Sequence, residues 1–270
     1  MRRALLFGLA PLLLLAACKD EPEQPRDRKA VAAPAQAASP ARKAAPKGAA
    51  RHVKEADDLY EFDYAYPAAA GAIPALKAMF DAHIDKVRGE LITEAKEEKA
   101  LSGGDFVYHP HSRSFDWQVV TELPGWLSLS TLASTYTGGA HPGYWFESVL
   151  WDKTANQERK ALDLFTSKQP LSAAIRPAFC KAIDRQREKK RGEPITRSPD
   201  DMFSECLDPV DYVVILGSSN RRAFDRIGIL VPPYEAGPYA EGEYEVTLSV
   251  TSEMLAVVRP EFRRSFSAPR

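Results

Sequence analysis

The folded part of the chain opens on alternation. In "LYEFDYAYP" (59–67) Tyr60, Phe62, Tyr64 and Tyr66 share one side, and Leu59, Glu61, Asp63 and Ala65 share the other. That period of two predicts a strand stopped at Pro67. From Pro74 the period changes: Leu76, Met79, Phe80, His83, Ile84, Val87, Leu91 and Ile92 recur at three- and four-residue spacing. The pattern predicts an amphipathic helix to about Lys99, with Pro74 in its first turn and Gly89 as a weak point. His83 lies on the apolar stripe, where a satisfied core histidine is expected rather than a ligand. Alternation returns over 114–139 as two strands turned at Leu123-Pro124-Gly125, and again over 144–152, with a turn at "DKTANQE". A short helix and loop are expected at "LDLFTSKQPLS". Ile175, Phe179 and Ile183 then mark a helix starting at Pro177 and closing at Gly192. Strands are expected at 211–217, 224–232 and 244–250, followed by a terminal helix over "SEMLAVVRPEF" with Ser252 as N-cap.

Hairpin-linked strands without regular βαβ alternation give an α+β class, mostly antiparallel sheet with two or three packed helices. Before them, Arg2 and Arg3 precede an apolar run from Ala4 to Leu15, too short to span a bilayer. This is the form of a signal peptide over 1–17, and its closing Leu-Ala-Ala-Cys resembles a bacterial lipobox with Cys18 as the lipidated residue. Lys19 rather than Asp after the cysteine favours the outer membrane, with Asp20 as a counter-indication. Residues 18–50 are rich in Ala, Pro, Lys and Arg with almost no large apolar side chain, the composition of a disordered tether. Residues 51–140 and 141–270 are expected as two adjoining parts of one module.

Charge separates these regions. Residues 19–50 carry seven basic and four acidic residues, whereas residues 51–270 carry 27 basic and 33 acidic. An acidic folded part argues against nucleic acid as a partner and for a cationic one. Cys180 and Cys206 remain after Cys18, and an even pair in an oxidising compartment predicts a disulfide. Its loop includes "REKKRGEPITRSPDD", whose charged start is expected as a solvated helix end.

Two segments carry most of the unusual composition. "STYTGGAHPGYWFESVLWD" with the later "LDLF", and "PPYEAGPYAEGEYEVTLSV" (232–250), together resemble the signatures of the RsiV-type envelope domain over roughly residues 57–262. That family includes a membrane-bound anti-sigma factor whose extracellular part binds lysozyme. It also includes a peptidoglycan deacetylase that carries such a region ahead of its catalytic domain. The resemblance implies a periplasmic, lipid-anchored binding domain for a cell-envelope ligand, either a peptidoglycan-related glycan or a cationic lysozyme-like muramidase. The other expected contact is the lipid bilayer, through acylated Cys18.

Catalytic signals are weak by comparison. His109-Pro-His111 with His141 is the one set that suggests zinc, and no HExxH, His-x-x-x-His or Gly-x-Ser-x-Gly accompanies it. No catalytic residue, metal or cofactor is therefore assigned; a hydrolase or deacetylase using these histidines, or a scaffold without a small ligand, are the alternatives. The aromatic and glycine residues suit binding better: Tyr136, Gly138, Gly139, His141, Tyr144, Tyr234 and Tyr239 form the candidate contact set. The same residues also suit plain turns with rings packed beneath them.

Overall fold

The computed structural model describes residues 48–102 and 107–268. The predicted signal peptide, Cys18 and nearly all of the predicted tether lie outside them. The α+β class holds. Among the described residues ten strands form two sheets, and the helices are unequal: α1 (Ala68–Gly71), α2 (Pro74–Leu101), α3 (Lys168–Arg191) and α4 (Ser252–Ala256). Among the described residues no helix is long and apolar enough to cross a membrane.

The larger sheet contains β1 (Arg51–Ala56), β2 (Tyr60–Tyr66), β3 (His111–Asp116), β4 (Gln118–Glu122), β5 (Trp126–Tyr136), β6 (Gly143–Asp152) and β7 (Gln157–Arg159). Its order is β1-β2-β3-β5-β6-β7, with β4 also paired to β5. All pairs are antiparallel except β2 with β3, which α2 connects. The hairpin tip between β5 and β6 contains position 141, so this sheet runs through both predicted parts of the module. The predicted strand over 114–122 is two strands. The break falls at Trp117: its N–H makes the last bond of the β2–β3 ladder, to the Ala65 carbonyl at 2.9 Å, and its indole enters the core to donate to the Tyr64 hydroxyl at 2.9 Å.

The alternating aromatics of β2 bury Phe62, Tyr64 and Tyr66 as expected, under the Leu76, Phe80, Ile84 and Leu91 stripe of α2. Gly89 does not interrupt α2. β1 was not apparent in the sequence because Val53 is its only large apolar residue. It is an edge strand tied to α2 by ion pairs, Arg51 to Asp81 at 2.5 Å and Glu55 to Arg88 at 2.9 Å.

The smaller sheet is β10 (Tyr244–Ser249), β9 (Arg226–Val231) and β8 (Val213–Gly217), wholly antiparallel. Its core joins Ile227, Ile229 and Val246 to Ile175, Phe179 and Ile183 of α3, and to Trp126 and Leu150 of the larger sheet. α3 begins nine residues before Pro177. Pro170 is the proline of its first turn, where no intrahelical N–H is missed, and Pro177 lies inside. The helix stops at Gly192, which adopts φ 78° as a left-handed cap. α4 is only five residues long, because the chain turns to place Val258 opposite Phe165, and its N-cap is Thr251 rather than Ser252. A disulfide joins Cys180 on α3 to Cys206, with Cα atoms 5.5 Å apart.

Candidate functional site

The two unusual segments meet in space. β5 and β6 pair through Ser134 with Tyr144 and Thr135 with Gly143, and the tip between them turns on Gly138 (φ 96°) and Gly139 (φ 93°). Glycine is required there because an L side chain in that region clashes with its own backbone. Tyr136 stabilises the turn by donating its hydroxyl to the Gly139 carbonyl at 3.1 Å. The hairpin thereby delivers His141 and Tyr144 to the segment that links β9 to β10.

There His141 stacks on Tyr239 at 3.6 Å between ring centroids, with 15° between planes. Tyr144 extends the stack, 6.2 Å from Tyr239, and Tyr234 closes it from the side at 5.5 Å. His141 Nδ1 lies 3.1 Å from the Pro142 carbonyl, and Nε2 lies 3.0 Å from the Tyr234 hydroxyl. A carbonyl only accepts, so Nδ1 carries the proton, and in the neutral ring Nε2 accepts from Tyr234. The cluster faces water: Tyr234 is 54% exposed and Tyr144 37%. Loss of hydration, with the neighbouring Tyr144 and Tyr234 hydroxyls, pushes the Tyr239 hydroxyl above its usual range. Of the seven candidate residues, His141, Tyr144, Tyr234 and Tyr239 form the ring cluster, while Tyr136, Gly138 and Gly139 build the turn that presents it.

Tyr234 has φ 71°, a left-handed backbone that costs a bulky residue about 1–3 kcal/mol and persists only where the surroundings impose it. The surroundings here come from the charge cluster expected to be solvated, and that expectation is corrected. Arg187 is completely buried, one i+4 step beyond Ile183 on the core stripe of α3. It donates to the carbonyls of Ala236 (2.8 Å), Glu205 (3.0 Å) and Ser204 (3.4 Å), and to Asp184 (3.2 Å). Burial lowers its pKa, and Asp184 partly offsets this.

Arg191 pairs with Glu241 at 2.8 Å, and Lys190 donates to the Glu241 and Glu243 carbonyls while lying 3.7 Å above the Tyr244 ring. Burial alone would raise the Glu241 carboxyl, but the hydrogen bonds from Arg191 and Tyr244 hold it below the ordinary carboxylate range. Gly237 fits between these groups without a side chain: a Cβ there would lie 2.1 Å from Glu241 Oε2. Thus α3 clamps both ends of the 234–244 segment. In the sequence, the only signal for these clamp residues is the four-residue step from Ile183 to Arg187, with the acids Glu241 and Glu243 beside Tyr239.

The histidines of the alternative reading are not gathered into one ligand set. His111 is buried and pairs with Glu98 at 3.1 Å, His109 is exposed, and His141 belongs to the ring cluster. Among the described residues, no group of three or more His, Cys, Asp and Glu forms a metal-sized cluster. His83 is half-buried, with Nδ1 2.9 Å from the Tyr64 hydroxyl, in keeping with its position on the core stripe.

What the fold and surface define is an α+β domain that presents a rigidly clamped aromatic platform. Residues 53–144, which contain most of β1, all of β2 to β5 and the whole β5–β6 tip, match the sequence profile of the family described as Deacetylase PdaC. No curated protein matches the chain significantly. Two solved structures of similar arrangement are a DUF3298 family member from Bacteroides fragilis and a DUF3298 family protein from Pseudomonas aeruginosa. The first is 16% identical, with 82% of this chain and 97% of that chain covered and a TM-score of 0.43. The second is 12% identical, with 82% and 98% covered and a TM-score of 0.44.

Proposed function

We propose that this is a non-catalytic cell-envelope binding domain whose contact surface is the ring cluster of His141, Tyr144, Tyr234 and Tyr239. The observation that carries the reading is Tyr234: a strained, exposed tyrosine, two residues before the Ala236 carbonyl that Arg187 holds and hydrogen-bonded to a histidine 93 residues away in sequence. A fold that spends strain to hold a ring in water is using that ring for contact. Stacked, outward aromatic rings give large contact area at low entropy cost and pack on the apolar faces of sugars.

The favoured ligand is a peptidoglycan-related glycan, in keeping with the similarity to a family described as a deacetylase. The excess of acidic over basic residues in 51–270 supports a second reading, a cationic lysozyme-like muramidase steered in by charge. In the cell the domain would sit in the periplasm, anchored through Cys18. Cosedimentation with purified sacculi, beside capture on immobilised lysozyme, tests both readings. Retention on sacculi that is lost in His141→Ala supports the glycan; salt-sensitive capture by lysozyme alone supports the muramidase; retention on neither removes the proposal.

A further inference from the structure

A second concave site lies on the opposite side of the larger sheet. Along β6, Tyr144 faces the ring cluster, whereas Trp145, Glu147 and Val149 point by alternation to the α2 side. Between β6, β7 and the first half of α2 the sheet is left uncovered, and a cleft of about 200 Å³ opens there. Phe80, Trp117 and Val149 give it apolar walls, His83 stands at one side, and Glu147 and Glu158 are its acids. Phe80 and Trp117 meet edge to face at 5.0 Å.

Neither carboxylate forms an ion pair among the described residues. Glu147 accepts only the Trp145 indole N–H, at 2.8 Å, and Lys160 is near enough to Glu158 to bias its charge without pairing. The cleft wall pushes the Glu158 carboxyl above the ordinary carboxylate range, against the smaller opposite pull of Lys160. Two acids beside a Trp and a Phe wall, without a counter-cation, form a receptor for a positive head on an apolar stem. Its volume is below the roughly 300–1,000 Å³ of typical small-ligand pockets, so it suits one long side chain better than a sugar repeat.

We infer that this cleft is a docking pocket for a single lysine or arginine side chain presented by a basic protein partner. The stem lies against Phe80 and Trp117, and the charged head is held between Glu147 and Glu158. Charge complementarity identifies the occupant: residues 51–270 carry 33 acidic against 27 basic residues, and among the described residues these two acids have no ion-pair partner of their own. The pocket is separate from the ring cluster and does not depend on its role.

The test is an NMR titration of the folded chain with the Nα-acetyl, N-methylamide forms of lysine, arginine and norleucine. The Trp117 indole and His83 ring protons are the reporters. Expected are saturable shifts for lysine or arginine, with affinity near the millimolar range usual for fragments of this size, and at least tenfold weaker binding of norleucine. Glu147→Gln with Glu158→Gln should weaken lysine or arginine binding by at least tenfold without changing the melting temperature by more than a few degrees. Tyr234→Gly should leave the titration unchanged, which separates this site from the ring cluster. Equal shifts with norleucine, no shifts with any probe, or binding that survives loss of both carboxylates would each overturn the inference.

Discussion

Replacing Arg187 by methionine keeps the length and apolar stem of the side chain while deleting its guanidinium. The structure gives that group four acceptors: the Ala236, Glu205 and Ser204 carbonyls and the Asp184 carboxylate, at 2.8–3.4 Å. Because the side chain is wholly buried, water cannot replace the lost donors. Each stranded buried acceptor costs about 1–3 kcal/mol, and breaking a buried charged network from one side typically costs about 3–5 kcal/mol. Partial relaxation, and relief from burying the guanidinium itself, keep the total near the latter range. For a domain of this size that is a fall in melting temperature of about 6–20 °C. Circular dichroism melts of wild type and Arg187→Met measure it, and hydrogen exchange at 234–241 should rise in the variant because Ala236 keeps only the longer bond from Arg191, at 3.3 Å. A cost under about 0.5 kcal/mol, the range of an ordinary surface substitution, would refute the clamp and restore the solvated helix end.

Asp81 accepts from Arg51, Lys77 and the Tyr66 hydroxyl, and although burial opposes it these partners lower its pKa from 3.8 to about 2. A depressed carboxylate contributes stability above its unfolded value that is lost as pH falls through its folded value. Asp81→Asn should therefore cost up to about 2 kcal/mol near neutrality, and acid titration of both proteins should show the difference shrinking from pH 4 towards pH 2; a pH-independent gap would contradict this. Removing the disulfide by Cys180→Ser with Cys206→Ser should cost about 3 kcal/mol by the loop-entropy argument, read by urea denaturation. Gly237→Ala should cost about 1–3 kcal/mol through overpacking against Glu241 and Tyr244, whereas Tyr234→Gly should stay within about 1 kcal/mol of wild type because relief of strain offsets the lost ring. Thermal melts of the two variants give the comparison.

The chain's own pattern carried much of the fold. β2 and α2 were legible because one period holds over their whole length and one face is buried. β1 was not, since an edge strand anchored by ion pairs needs no apolar alternation. The start of α3 was misplaced for a local reason: Pro177 satisfies the first-turn preference as well as Pro170 does, and only Leu171, four residues before Ile175, argues for the longer helix. The site was legible by composition and not by architecture. Glycines beside tyrosines pointed to the two segments, but the stack of His141 on Tyr239 joins residues 98 positions apart through the docking of two sheets. Arg187 was obscured by its neighbours. In a run of seven charges within eight residues, only the helical phase distinguishes the one that faces inward.

The most direct measurement is sacculus binding by wild type and by His141→Ala combined with Tyr234→Gly, two substitutions at exposed rings that leave the core and the α3 clamp in place. Loss of two anchoring rings corresponds to at least about 2 kcal/mol of binding, roughly thirtyfold in affinity. Saturable binding by wild type and at least that weakening in the double variant are expected, with both proteins melting within a few degrees of each other. Wild-type binding that the double variant matches, at equal stability, would contradict the claim that the ring cluster is the contact surface.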